Sequence, residues 1–152
     1  MVRSVDNKPP HVEPLLAPPG DSREQRDAEA VMVAALGNRL GAPLAPRRIE
    51  LGDGRHVEID AASEDLSILC EAWHQGAPEP AQRNKVLSDA FKLRFVTKVV
   101  GVSPRLILLF SDEAAAAPFR GRSWYTAALR QAGIEIAVVD LPAEVQEQIR
   151  MA

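Results

Sequence analysis

The run Arg105 to Phe110 (RLILLF) constrains this chain more than any other segment. Five apolar residues follow Arg105 without a polar alternate, so a strand built from them buries both faces. The run is too short for a helix, and such strands occur in sheets covered by helices on both sides. A second run of the same kind, Ile134 to Asp140 (IEIAVVD), follows a stretch with helical composition. Two doubly buried strands joined through helical sequence point to an α/β chain with a parallel or mixed sheet.

The flanking segments complete the order. Ala28, Val31, Met32, Ala35, Leu36 and Leu40 recur at helical spacing, with Ser22 as N-cap and Gln25 at the capping-box position. They predict a helix over 22–40 that ends at Gly41 and Pro43. The period then changes to two. Residues 47–51, the turn Gly52-Asp53-Gly54, and residues 55–60 read as a β-hairpin, followed by a third strand over 66–73. After the loop at 76–80, Pro80 opens a long helix to about Val100, closed by Gly101. Helical sequence over 112–132, broken near Pro118–Gly121, precedes the last strand, and Pro142 opens a short final helix. Ser111-Asp112-Glu113 reads as a helix cap. The expected order is α-β-β-β-α-β-α-β-α, with a mixed sheet of about five strands and helices on both faces. It is not a doubly wound dinucleotide fold, because its glycine-rich turn joins two strands rather than a strand and a helix.

The chain of 152 residues holds one core. Five of its twelve prolines lie in the first twenty residues, so residues 1–20 read as a flexible or extended tail and 21–152 as a single domain. No apolar run reaches the roughly 18 residues of a membrane span, and the first residues lack a secretory signal pattern. Cys70 is the one cysteine, which excludes an internal disulfide and leaves a reducing cytoplasm as the expected compartment. The net charge of −3 excludes a histone-like protein but not a local basic groove.

The chemistry gathers on three features. Asp60 is expected at the C-terminal end of the second strand, sharing a face with Glu58. Glu71 lies inside the third strand, in the otherwise apolar LSILCEAW. A carboxylate there is costly to desolvate unless it is paired or binds a metal. Two carboxylates on adjacent strands can hold magnesium, with water and substrate phosphate completing the shell, and such a cation assists phosphodiester hydrolysis. The third feature is the helix after Pro80. Gln82, Lys85, Asp89 and Lys92 fall in an arc of about 80°, beside Val86, Ala90 and Leu93, with Leu87 and Phe91 further round. Arg83, Arg94 and Lys98 form a second polar face. The first stripe either reaches a cleft shared with Asp60 and Glu71 or pairs within its own helix, Lys85 with Asp89 and Asp89 with Lys92.

This element order, with an Asp ending the second strand, a Glu in the third and a helix carrying Gln-x-x-Lys and Asp-x-x-Lys-Leu, resembles the PD-(D/E)XK nuclease superfamily over about residues 22–110. The resemblance implies a restriction-endonuclease-like αβββαβ core that cuts DNA or RNA with magnesium or manganese. It implies Asp60 and Glu71 as metal ligands, with the Ala72 carbonyl and Glu29 as further contributors. Two departures stand out: Ile59 takes the place of proline, and Trp73 takes the place of the lysine two residues after Glu71. In members that carry the lysine on the following helix, the equivalent here is Lys85 or Lys92, with Gln82 and Asp89 orienting the group.

The remaining candidates are read residue by residue. His74 falls on the face opposite Glu71 and reads as a loop-entry histidine. Cys70 also points away and reads as a small buried hydrophobe. Trp73 either packs a cleft wall or stacks on a base. Residues 81–105 carry a local net of +5, and Arg120 and Arg122 sit beside Trp124 and Tyr125. Together Arg83, Arg94, Lys98, Arg120 and Arg122 suit a nucleic-acid backbone or, equally, a solvated surface. Two function classes lead, ahead of a small-molecule enzyme that would use Asp60 and Glu71 in a closed apolar pocket. One is a magnesium- or manganese-dependent nuclease, with DNA expected ahead of RNA. The other is a catalytically inactive domain of the same fold that binds protein or nucleic acid. Sequence specificity in a core this small calls for a homodimer or a protein partner.

Overall fold

The computed structural model describes residues 23–74, 80–145 and 147. The proline-rich segment 1–20, the Ser22 cap and most of the 76–80 loop lie outside the described residues, as does the Gln25 side chain. A five-stranded sheet in the order β1-β2-β3-β4-β5 runs through the middle of the chain. Its strands are Ala45–Glu50 (β1), His56–Ala62 (β2), Ile68–Trp73 (β3), Arg105–Phe110 (β4) and Ile134–Val138 (β5). The first three form an antiparallel meander, and β4 and β5 extend it in parallel with β3. Parallel neighbours need crossovers. α2 (Pro80–Val100) supplies the first crossover. The second comprises α3 (Glu113–Ala116), a 3₁₀ turn over Ala117–Phe119, and α4 (Trp124–Gln131). The expected class, a mixed five-stranded α/β sheet between helices, is what forms.

Strand alternation divides the core. Leu106, Leu108 and Phe110 of β4 pack with Val86, Ala90, Leu93 and Val96 of α2 and with Phe119 and Leu129. Ile107 and Leu109 point the other way, onto Met32, Val33 and Leu36 of α1 (Arg23–Leu40). Alternation also sorts β3: Leu69 and Trp73 lie on the α2 side, Ile68, Cys70 and Ala72 on the α1 side. Glu71, between Leu69 and Trp73, therefore faces α2. Helices α1 and α2 stop where Gly41 and Gly101 adopt φ of 69°, a conformation that costs glycine little.

Several expected boundaries move. The third strand starts at Ile68 rather than residue 66. Asp65 Oδ1 accepts from Ser63 Oγ, Ser67 Oγ and Ser67 N–H at 2.7–3.0 Å, and Leu66 takes φ of 60°. A side-chain-closed turn thus replaces strand. These donors hold the Asp65 carboxyl at about 2, below its usual range. The stretch 112–132 is interrupted, as its Pro118 demands. Asp112 caps α3 through Oδ1, which accepts from Ala115 N–H at 2.7 Å. After Pro142, residues 143–145 and 147 are helical.

β2 differs most from expectation, and the difference positions the site. Asp60 does not end the strand, which continues to Ala62. Ala45 pairs with Ala62 while Arg47 pairs with Ile59, so Asp60 and Ala61 together face Pro46. This is a β-bulge, and it breaks the regular alternation that would align Asp60 with Glu58. Ile59 and Ala62 enter the α2-side core, whereas Ala61 enters the α1-side core. Pro46 has no N–H to donate to the ladder, which favours an irregular pairing at that point. Arg47 helps hold the irregularity, its Nε donating to the Ala62 carbonyl at 3.0 Å.

Candidate functional site

β2 and β3 pair at only two residue positions, Ala61 with Cys70 and Ala62 with Leu69. Beyond them the ladder gives way to side chains. Asp60 Oδ2 accepts from the Ala72 N–H at 2.9 Å, and the Asp60 N–H donates to Glu71 Oε2 at 3.4 Å. The two acidic residues cross-link the diverging strands, each carboxylate accepting from backbone of the other strand.

Glu71 is 3 % exposed. Lys92 reaches down from α2 and forms an ion pair with Glu71 Oε1, while its Nζ also donates to the Glu58 carbonyl at 2.9 Å. The electrostatics are tense. Burial, followed by hydrogen bonding and repulsion from Asp60, pushes the Glu71 carboxyl up to about 10 against the opposing pull of Lys92. Burial works to lower the Lys92 pKa, but Glu71 first, then Asp60 and Asp89, outweigh it and hold the ammonium above its ordinary value. Asp89 is half-buried one turn before Lys92. Its carboxyl is raised by burial and by Asp60, with Lys92 and Lys85 pulling the other way. Three carboxyls and two amines thus feel one another across the gap between β2, β3 and α2.

Of the two candidate lysines, Lys92 takes the place beside Glu71. Lys85 lies with its Nζ 5.9 Å from the centroid of the Trp73 ring, within cation–π range, so Trp73 forms a wall under a lysine. The Gln82 side chain lies outside the described residues. His74 falls on the α1 side, its Nδ1 3.9 Å from Glu29 Oε2. Glu29 is therefore set against His74, on the face of β3 opposite Glu71. Cys70 is buried, and burial, then Asp60, Glu71 and Glu29, push its thiol well above the usual range. That suppresses any nucleophilic role.

The basic residues separate. Arg94, Lys98 and Arg122 are exposed. Arg83 lies over the Tyr125 ring at 5.7 Å. Arg120 is committed to the fold, donating to Glu113 Oε2 at 2.6 Å and to the Ile136 carbonyl at 3.2 Å, so its guanidinium is not an open phosphate contact. Phe91 is 79 % exposed, on the side of α2 away from Val86, Ala90 and Leu93. With Phe95, Val99 and Val102 it makes an exposed apolar stripe.

Sequence reasoning missed the bulge and the Glu58 carbonyl that receives Lys92. Pro46 was a signal for the first. A main-chain acceptor leaves no signature in residue type. Asp60 and Glu71 carry oxygens of the kind a hard divalent cation takes, with Glu71 Oε1 engaged by Lys92 and Asp60 Oδ2 by the Ala72 N–H. Among the described residues no three His, Cys, Asp or Glu side chains form a metal-binding group, so coordination there would draw on water, backbone or substrate oxygens. No protein-family model, curated protein or solved structure matches the chain.

Proposed function

We propose that this protein is a metal-dependent nuclease that hydrolyses phosphodiester bonds of nucleic acid, DNA ahead of RNA, on a restriction-endonuclease-like core. One observation carries the reading: the Lys92 ammonium lies against the Glu71 carboxylate, although the lysine position two residues after Glu71 is occupied by Trp73. A carboxylate pair at a bulge and strand divergence, completed by a lysine from the next helix, is an arrangement suited to a phosphate substrate. The mixed sheet in the order 1-2-3-4-5 is compatible with such a core.

In this reading Asp60 and Glu71 hold magnesium or manganese. The buried, proton-retaining tendency of Glu71 fits that role, because a divalent charge offsets both its desolvation and its repulsion by Asp60. When bound, the cation polarises phosphoryl oxygens and lowers the pKa of a coordinated water. The residues do the rest. Lys92 brings a fixed positive charge to the developing negative charge of the phosphate, and the Glu58 carbonyl limits where its amine can go. Asp89 and Lys85 set the potential around it. Arg94 and Lys98 add sequence-independent attraction for the backbone.

The second reading, a catalytically inactive domain of this type that binds nucleic acid or protein, draws support from how completely Glu71 is covered. A cleavage assay separates the two. Labelled DNA, single- and double-stranded, is incubated with manganese and wild type, Lys92→Ala, Lys85→Ala or Glu71→Gln. The nuclease reading expects wild-type cleavage reduced at least about 100-fold in Lys92→Ala and Glu71→Gln, and less in Lys85→Ala. Cleavage equal in all four, or in none, contradicts it.

A further inference from the structure

Trp124, the first residue of α4, is 76 % exposed. Tryptophan is ordinarily largely covered, and this one stands in the open. Its ring stands edge-on to Tyr125, with centroids 5.8 Å apart at 80°. Tyr125 rests on Phe119 at 6.0 Å, and Phe119 stacks on buried Phe110 at 5.3 Å. A chain of rings thus runs from the end of β4 to the surface. Arg83 of α2 covers the Tyr125 ring, its Nη1 3.5 Å from the Tyr125 hydroxyl.

Residues 114–132 contain Arg120, Arg122 and Arg130 and no acid, and with Arg120 tied to Glu113, Arg122 stays exposed. The cluster also belongs to the same end of the sheet as the carboxylate pair. Phe110 pairs with Trp73 across β3 and β4, and the opening turns of α2 place Arg83 on Tyr125 and Lys85 on Trp73.

We propose that Trp124, flanked by Tyr125, Arg83 and Arg122, is a stacking platform for an unpaired base of a single-stranded nucleic acid. The strand's backbone continues toward the gap between Asp60, Glu71 and Lys92. This rests on the phosphodiesterase reading and narrows its substrate to single strands or unpaired ends. An exposed indole offers a flat face that any base can stack on, and arginines draw in the phosphates. In a closed duplex the base faces are already covered.

The chain has two tryptophans, which makes the test direct. Trp73→Phe leaves Trp124 as the sole indole fluorophore. With no divalent metal present, it is titrated with oligo-dT of about 12 nucleotides and with a blunt duplex of the same length. In parallel, Trp124→Ala in the otherwise wild-type chain is compared with wild type by anisotropy of the labelled oligonucleotide. Quenching by the single strand but not the duplex is expected, with about a 5- to 100-fold affinity loss in Trp124→Ala and recovery in Trp124→Phe. Equal quenching by duplex, or unchanged single-strand affinity in Trp124→Ala, overturns the platform, as does Trp124→Ala abolishing self-association while leaving oligonucleotide affinity intact. The two readings fail separately: stacking without cleavage defeats only the nuclease assignment, and cleavage indifferent to Trp124 defeats only the platform.

Discussion

The Lys92 amine, carried by the middle of α2, lies against the Glu71 carboxyl buried in β3. A lysine two residues along β3 would sit in line with Glu71 on the same face, and Trp73 holds that place. The helix delivers the cation from above instead, and the Glu58 carbonyl steadies it. Lys92→Ala leaves Glu71 buried beside Asp60 with no cation in contact. A loss of about 1–3 kcal/mol in urea unfolding at neutral pH is expected. Lys85→Ala, at a position exposed to solvent, is expected to cost less than about 1 kcal/mol.

Glu71 also sets a pH dependence. Its folded-state pKa lies above its ordinary value, so it favours folding fully only below about 4.5 and loses that contribution as pH rises toward about 10. Glu71→Gln removes the titration. In metal-free buffer, thermal unfolding is expected to show the variant gaining steadily on wild type from pH 5 to pH 9. A constant gap across that range contradicts the assignment.

Asp60 has two separable roles. Its side chain satisfies the Ala72 N–H where the ladder ends, and its charge raises Glu71. Asp60→Asn keeps an acceptor and removes the charge, so stability near that of wild type or above it is expected at pH 8. Asp60→Ala orphans the Ala72 N–H and is expected to cost about 1–2 kcal/mol. Chemical denaturation of the two variants side by side separates acceptor from charge.

Cys70 lies on the face of β3 away from Glu71, fully covered, with its thiol pushed up by burial and by the carboxylates nearby. Its reaction with a disulfide reagent at pH 8 is expected only at the rate of unfolding, and freely in denaturant. Rapid labelling of the folded protein contradicts that burial.

Much of the architecture was legible because it rests on local signals. RLILLF has no polar alternation and forms an interior strand, whereas IEIAVVD, read as buried, forms the edge strand β5, with Glu135 exposed and Ile136 to Val138 half-buried, and glycines marked the ends of α1 and α2. Glu71 stood out because a charge inside an apolar strand needs a reason. The legible part ended where geometry depends on pairing between strands. The bulge at Asp60 arises from the register against Pro46, and no periodicity within β2 reports it. Likewise the helical wheel grouped Lys85 with Lys92, but only the packing of α2 on β3 separates the one over Trp73 from the one on Glu71.

The most direct measurement is a calorimetric titration of manganese into wild type and Glu71→Gln at pH 8. Saturable binding in the wild type, weaker at pH 6 because the metal displaces a proton from Glu71, and absent in the variant, is the result expected of a site built on Asp60 and Glu71. No binding at millimolar manganese, or equal binding in both proteins, contradicts it.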